Sequence, residues 1–289
     1  MKPCRRAVLA LALAVACTAV RGHAADGPEP LEVLLVAGGC CHDYAAQTRI
    51  LKEGIEERLN AHVTIAYSPD KTTSARFEIY EKDDWAANYD VVIHDECSAN
   101  VTDKDYVGRI LKAHLDGVPA VNIHCAMHSY RWGDFKKPVE VGGDNAAWYE
   151  FVGLQSTGHG PQFPIDVTYD QEHPITKALE DWTTINEELY NNIQILPTAT
   201  AIATGKQPVK GKKDPPDAEP KVEKAVVAWT SEYGPKKTRV FSTSLGHNND
   251  TVGDGHYLDL VCRGILWTTG HLDEAGKPTP GSIRASLRP

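Results

Sequence analysis

The sequence predicts an α/β fold: a mostly parallel sheet with helices on both faces. Two observations carry this. Short, continuous apolar runs (Leu31–Ala37, Tyr89–Ile93 and Val118–Ile123) are separated by segments of helical periodicity. Strands covered on both faces read as continuous rather than alternating apolar runs. Polar and histidine-bearing residues follow the ends of those runs, where open α/β sheets gather their ligands.

The elements follow in order. Residues 1–24 read as a secretory signal peptide: Lys2, Arg5 and Arg6 precede the apolar run Ala7–Val20, and Gly22-His23-Ala24 offers a small-residue cleavage site. The expected location is therefore periplasmic or secreted. Lipid anchoring at Cys17 is less favoured, because Ala14-Val15-Ala16-Cys17 only partly resembles a lipobox. Residues 25–273 are expected to form one α/β domain and 274–289 a flexible, Gly/Pro/Ser-rich tail. Within the domain, Leu31–Ala37 is a strand ending in Gly38-Gly39, and Gln47–Leu59 has helical spacing. Val63–Tyr67 and Tyr89–Ile93 are strands, Asp103–Leu115 is a helix capped by Thr102, and Val118–Ile123 is the fourth strand. Ile165–Tyr169, Thr200–Ala203, Ala225–Thr230 and Arg239–Ser244 continue as strands. Proline-rich Lys206–Lys221 reads as an exposed hairpin tip, and Gly255–Thr268 as a final amphipathic helix.

Charge narrows the function classes. The formal net charge is -9, and becomes -13 once the four basic residues of 1–24 are removed. An acidic chain is a poor partner for nucleic acid. It does not suggest an anionic substrate either, although a local site can oppose the global field. Five cysteines remain beyond the leader: Cys40, Cys41, Cys97, Cys125 and Cys262. No CxxC spacing supports a zinc knuckle. Adjacent Cys40 and Cys41 are a poor pair, whereas a disulfide from either to Cys97 or Cys125 is open in an oxidising compartment.

The chemistry-bearing residues gather after strands. His42-Asp43 follow the first, His94-Asp95-Glu96 the third, and His124, Cys125 and His128 the fourth. In a parallel sheet these places share one edge. His124 and His128 would lie on one face if a helix starts at the turn, and could then hold a metal such as zinc, with His42, Glu96 or His159 completing the set. The bland alternative is one buried, bonded histidine and one at the surface. Cys125 reads first as a buried, inert thiol, since no G-x-S-x-G-like elbow surrounds it. Thr157-Gly158-His159-Gly160-Pro161, Asn186-Glu187-Glu188-Leu189-Tyr190 and Leu245-Gly246-His247 each read first as a cap or turn. Trp132 and Tyr190 could stack on a sugar ring or simply line a cleft.

Five motifs in order, L-L-V-A-G-G-C-C-H-D-Y, V-V-I-H-D-E-C, N-I-H-C-A-M-H-S-Y-R, H-P-I-T-K-A-L with N-E-E-L-Y, and R-V-F-S-T-S-L-G-H-N-N-D, resemble the ThuA-like (trehalose utilisation) family over about Leu31–Leu272. The resemblance implies a class I glutamine amidotransferase-like fold, a flavodoxin-like three-layer sandwich. It does not imply that activity: the elbow position of the amidotransferase cysteine is matched by His124, with Cys125 one residue later. It implies carbohydrate catabolism, with turnover of an oxidised (3-keto) sugar or glycoside made by an oxidoreductase of the same pathway. On that reading His124, His247 and Glu96 would be catalytic. His42, Asp43, His159, Glu187, Tyr190 and Trp132 would bind substrate, and His124, His128 and His42 would be the metal candidates. The competing expectations are a non-catalytic carbohydrate-binding protein and a metal-dependent hydrolase of another substrate.

Overall fold

The computed structural model describes residues 28–169, 172–210, 215, 217–284 and 287. The expected signal peptide and Cys17 lie outside them. Nine strands form one sheet: β1 (Leu31–Gly39), β2 (Ala61–Ser68), β3 (Val91–Cys97), β4 (Ala120–Ile123), β5 (Leu154–Tyr169), β6 (Trp182–Ile195), β7 (Ala199–Val209), β8 (Lys221–Tyr233) and β9 (Thr238–Thr243). Their order is β2-β1-β3-β4-β9-β8-β7-β5-β6. The first five in that order are parallel, and β8, β7, β5 and β6 add antiparallel pairs.

Side-chain alternation splits the core into two layers. Val33, Leu35 and Ala37 of β1 face α1 (Tyr44–Arg58) and α5 (Gly255–Thr268), while Leu34 and Val36 face α2 (Lys104–Leu115) and α3 (Ala147–Val152). In α1, Tyr44, Gln47, Thr48, Leu51 and Ile55 form the buried stripe that its 3.6-residue period dictates. Burial of Leu51 or Ile55 contributes roughly 1.5–3 kcal/mol each. Edge strand β2 alternates buried and open positions, whereas β1 and β3 are closed on both faces. A four-residue helix α4 (Asn249–Val252) follows β9.

Several expectations change. Asp103, not Thr102, caps α2, its carboxylate accepting from Tyr106 N at 3.2 Å. β3 runs on to Cys97, so His94, Asp95 and Glu96 lie inside the strand rather than beyond its end. β5 is much longer than expected and β6 was not expected as a strand at all; together they hold the His159 and Glu187 motifs as strand rather than turn. The segment 274–284, expected to be flexible, is tied down: Asn60 N donates to Ser282 O, Arg284 N donates to Arg58 O, and Leu287 packs into the core. Cys40 and Cys41 do form a disulfide with each other, leaving Cys97, Cys125 and Cys262 as buried free thiols. Left-handed Gly39 (φ 99°) and Cys41 (φ 86°) turn the chain there, which is how neighbouring cysteines come to meet. Among the described residues, no helix is long and apolar enough to cross a membrane.

Candidate active site

Three turns at the carboxyl ends of parallel strands bring three imidazoles together. After β1, Gly39 adopts φ 99°, and a Cβ there would sit 2.2 Å from Cys97 O. Only glycine allows this approach, and it swings Cys40–His42 over β3. After β4, His124 itself is left-handed (φ 43°), opening a 3₁₀ turn, His124–His128. A non-glycine residue held there stores about 1–3 kcal/mol of strain, which the surrounding packing sustains. After β9, Gly246 (φ 114°) passes so close to Tyr257 that a Cβ would stand 2.6 Å from its hydroxyl, and His247 follows. One ring nitrogen from each of His42, His124 and His247 falls within 4.8 Å of the others.

Glu188, on the bulged strand β6, closes the group. Its Oε2 lies 3.5 Å from His124 Nε2 and its Oε1 3.2 Å from His247 Nδ1. His124 Nδ1 lies 2.6 Å from Ser244 O. Since a carbonyl only accepts, Nδ1 carries the proton and donates, and Nε2 presents a lone pair. That Nε2 and His247 Nδ1 are buried without a hydrogen-bond partner. A lone pair facing a carboxylate calls for a proton or a cation between them.

The remaining groups fix this arrangement. His42 Nδ1 donates to His247 O (3.2 Å), so its Nε2 accepts from the Cys125 thiol (2.9 Å). Burial, then the neighbouring His124 and His247, pushes His42 down to about 3, so it is neutral. Cys125 stays a thiol: its bond with Cys97 and burial push it well up, which removes it as a nucleophile. Burial alone would raise Glu188, but the His124 and His247 imidazoles beside it outweigh that and hold it far below the usual carboxylate range. Burial lowers His247, yet Glu188 outweighs that and leaves it above the ordinary imidazole value.

The expected residues therefore divide. His42, His124 and His247 converge. Tyr190 forms a wall, its ring centroid 5.0 Å from that of His124. His159 sits at the exposed rim, 3.4 Å from Glu188. Glu187 does not face the imidazoles; its carboxylate accepts from His247 N and Asn248 N, both at 3.2 Å, and so holds their loop. Asp43 caps α1 through Ala46 N and accepts from Asn249. His128 turns away, because four residues of 3₁₀ turn do not return to the same face as an α-helix does; it bonds Ser156 Oγ (3.0 Å) and stacks on Tyr190. Glu96 points to the α2 side, the opposite face from Cys97, and is fully buried. Trp132 lies outside the group, donating to Asp144. Glu188 is the residue that the sequence reading missed.

Three imidazoles and a carboxylate are the donor types that hold a divalent metal such as zinc; His124 Nε2 offers its lone pair outright, while His42 Nε2 would have to exchange the Cys125 thiol and His247, whose Nε2 meets the Gln162 amide at 2.8 Å, its Nδ1 proton for the ion. A cleft of about 570 Å³ between His173, Thr230, Glu232 and Trp267 holds a single imidazole and no comparable set.

An α/β protein with a histidine-rich centre at the carboxyl edge of its sheet is the class that fold and geometry define. The chain matches the ThuA family, described as trehalose utilisation, over residues 32–268, and belongs to it. Its fold is similar to that of a ThuA-like protein of Parabacteroides merdae (TM-score 0.59, 18% identity, covering 90% of this chain and 98% of that one). It is also similar to a ThuA-like protein of Bacteroides uniformis (TM-score 0.55, 15% identity, 86% and 95% covered). No curated protein matches the chain.

Proposed function

We propose that the protein is an exported enzyme that processes an oxidised (3-keto) sugar or glycoside with metal-assisted acid/base chemistry. The observation that carries this is the convergence of His42, His124 and His247 on one point, with Glu188 against two of them. The family description, trehalose utilisation, supports a carbohydrate substrate.

The roles follow from the geometry. His42, His124 and His247, with Glu188, would hold a divalent ion, which when bound supplies a Lewis acid for a carbonyl or hydroxyl oxygen. Glu188, held ionised, is a weak base; it orients His124 and His247. His159, at the exposed rim 3.4 Å from Glu188 and outside the ion-holding set, is the imidazole placed to carry a proton to or from substrate. A ketone acidifies the adjacent C–H: a base takes that proton, the electron pair moves into the carbonyl as an enolate, and a leaving oxygen one carbon further departs with a proton returned. His159 and Tyr190 line the side from which a sugar ring would approach.

The test is turnover of a 3-keto-glucoside against the parent glucoside, before and after chelation. Selective turnover of the keto compound, lost on chelation and restored by zinc, is expected. Equal turnover of both compounds, or keto-glycoside turnover untouched by chelation, contradicts the proposal.

A further inference from the structure

Three sulfurs meet where β1 and β3 end. The parallel register sets Gly39 against Cys97. Because Gly39 has no Cβ, the chain crosses the end of β3 there, and Cys40 N donates to Cys97 O at 3.4 Å. The side chains follow: Cys40 Sγ, bonded to Cys41 Sγ, lies 3.7 Å from the Cys97 thiol.

The three differ in access. Cys97 is buried, Cys40 half-buried and Cys41 exposed. Of the other cysteines among the described residues, Cys262 is buried in α5 and Cys125 faces His42. A thiol held against a disulfide, with the far sulfur open to water, is the arrangement that thiol–disulfide exchange needs. It supplies an attacking sulfur, a sulfur to attack and a leaving sulfur that water can solvate. The hydrogen-bonded neighbour Cys125 outweighs burial and holds Cys97 below the ordinary thiol value, which favours the thiolate. Cys41 is left-handed (φ 86°), so opening its ring relieves a backbone conformation that a side chain disfavours.

We propose that Cys97 opens the Cys40–Cys41 disulfide and thereby makes Cys41 a modification site for a small disulfide. The Cys97 thiolate attacks Cys40 Sγ. A Cys40–Cys97 bond forms, the Cys40–Cys41 bond breaks, and its electron pair leaves on Cys41 Sγ. Charge moves from Cys97 to Cys41, and no oxidant or reductant is consumed in this step. The exposed Cys41 thiolate then attacks one sulfur of the small disulfide and forms a mixed disulfide. The other half leaves as a thiolate and takes the proton that Cys97 gave up. None of the three sulfurs belongs to the imidazole group, and no step uses a bound ion or a sugar.

The experiment is incubation of the full chain with glutathione disulfide, without reductant, followed by alkylation of the remaining thiols, tryptic digestion and mass spectrometry. Arg49 and Lys52 lie between Cys41 and Cys97, so cleavage there puts them on separate peptides. Wild type is expected to carry glutathione on Cys41 and a Cys40–Cys97 cross-link in the same molecules. Cys97→Ser is expected to lose both, with the Cys40–Cys41 ring closed and the melting temperature unchanged. An unmodified Cys41, glutathione on Cys41 without the cross-link, glutathione on Cys97 with the ring intact, or a Cys41 adduct that persists in Cys97→Ser would overturn the proposal. The wild-type cross-link decides the question even where Cys97→Ser fails to fold.

Discussion

Two histidine–glutamate clusters lie in this molecule, one on the α2 side of the sheet and one at its carboxyl edge, and they differ in how fully their valences are used. On the α2 side, His94 Nδ1 meets Glu96 Oε1 at 2.9 Å, and His94 Nε2 meets His114 Nε2 at 3.0 Å. His114 Nδ1 donates to Val118 O, and the hydroxyls of Tyr80 and Tyr130 both donate to Glu96. All five residues are fully buried, and only Glu96 Oε2 is left without a partner. At the carboxyl edge, the other cluster leaves two ring nitrogens unpartnered against a carboxylate, beside an exposed His159. The residue types are the same. Orphaned valence and access, not composition, separate a site from a buried brace.

Substitutions should break the comparison in opposite ways. His124→Ala is expected to lower turnover by about a thousandfold or more, within the range of acid/base and ligand losses, with the melting temperature nearly unchanged. Comparable loss from Glu96→Ala at equal folded fraction would erase the distinction. Glu96→Ala should instead destabilise the fold by about 3 kcal/mol, because His94 and two tyrosine hydroxyls lose their acceptor. Urea denaturation would show this as a lower midpoint at unchanged slope, with activity per folded molecule retained.

Acid sharpens the contrast further. Burial, then His94, pushes His114 down to about 3, whereas the unfolded chain takes up that proton near 6.5. Between those values the unfolded state binds more protons, so stability falls as pH drops through that window. The slope from this group is at most about 1.4 kcal/mol per pH unit. His114→Phe is expected to flatten it in urea titrations from pH 7 to 4; an unchanged slope would mean the proton uptake lies elsewhere. The smallest effect should come at the other cluster. Glu188→Gln removes the charge that raises His247, so its NMR titration midpoint should move to lower pH. A fixed midpoint would detach Glu188 from His247.

The legible part of the site was the part carried by strand ends. His42, His124 and His247 each follow an apolar run, His247 directly after a glycine, and parallel pairing places those ends on one edge. The elbow assignment of His124 has its structural counterpart in that residue's left-handed backbone. Glu188 was hidden because β6, W-T-T-I-N-E-E-L-Y-N-N-I-Q-I, lacks clean alternation, and its partner β5 shifts register at several points. Glu96 was misplaced because H-D-E reads as the end of a strand. In β3 the polar triplet continues inside it, sustained by buried partners that lie far along the chain. The disulfide of Cys40 with Cys41 depends on left-handed backbone at Gly39 and Cys41, which residue spacing does not reveal.

The central claim is that His42, His124, His247 and Glu188 act together as one ion-holding centre. The most direct test is the zinc content of the purified protein after zinc loading and dialysis, wild type against His124→Ala/His247→Ala. The account predicts about one ion per wild-type chain and none in the double variant, at equal melting temperature of the metal-free forms. Equal zinc content in both proteins, or none in a wild type that is fully active, would contradict it.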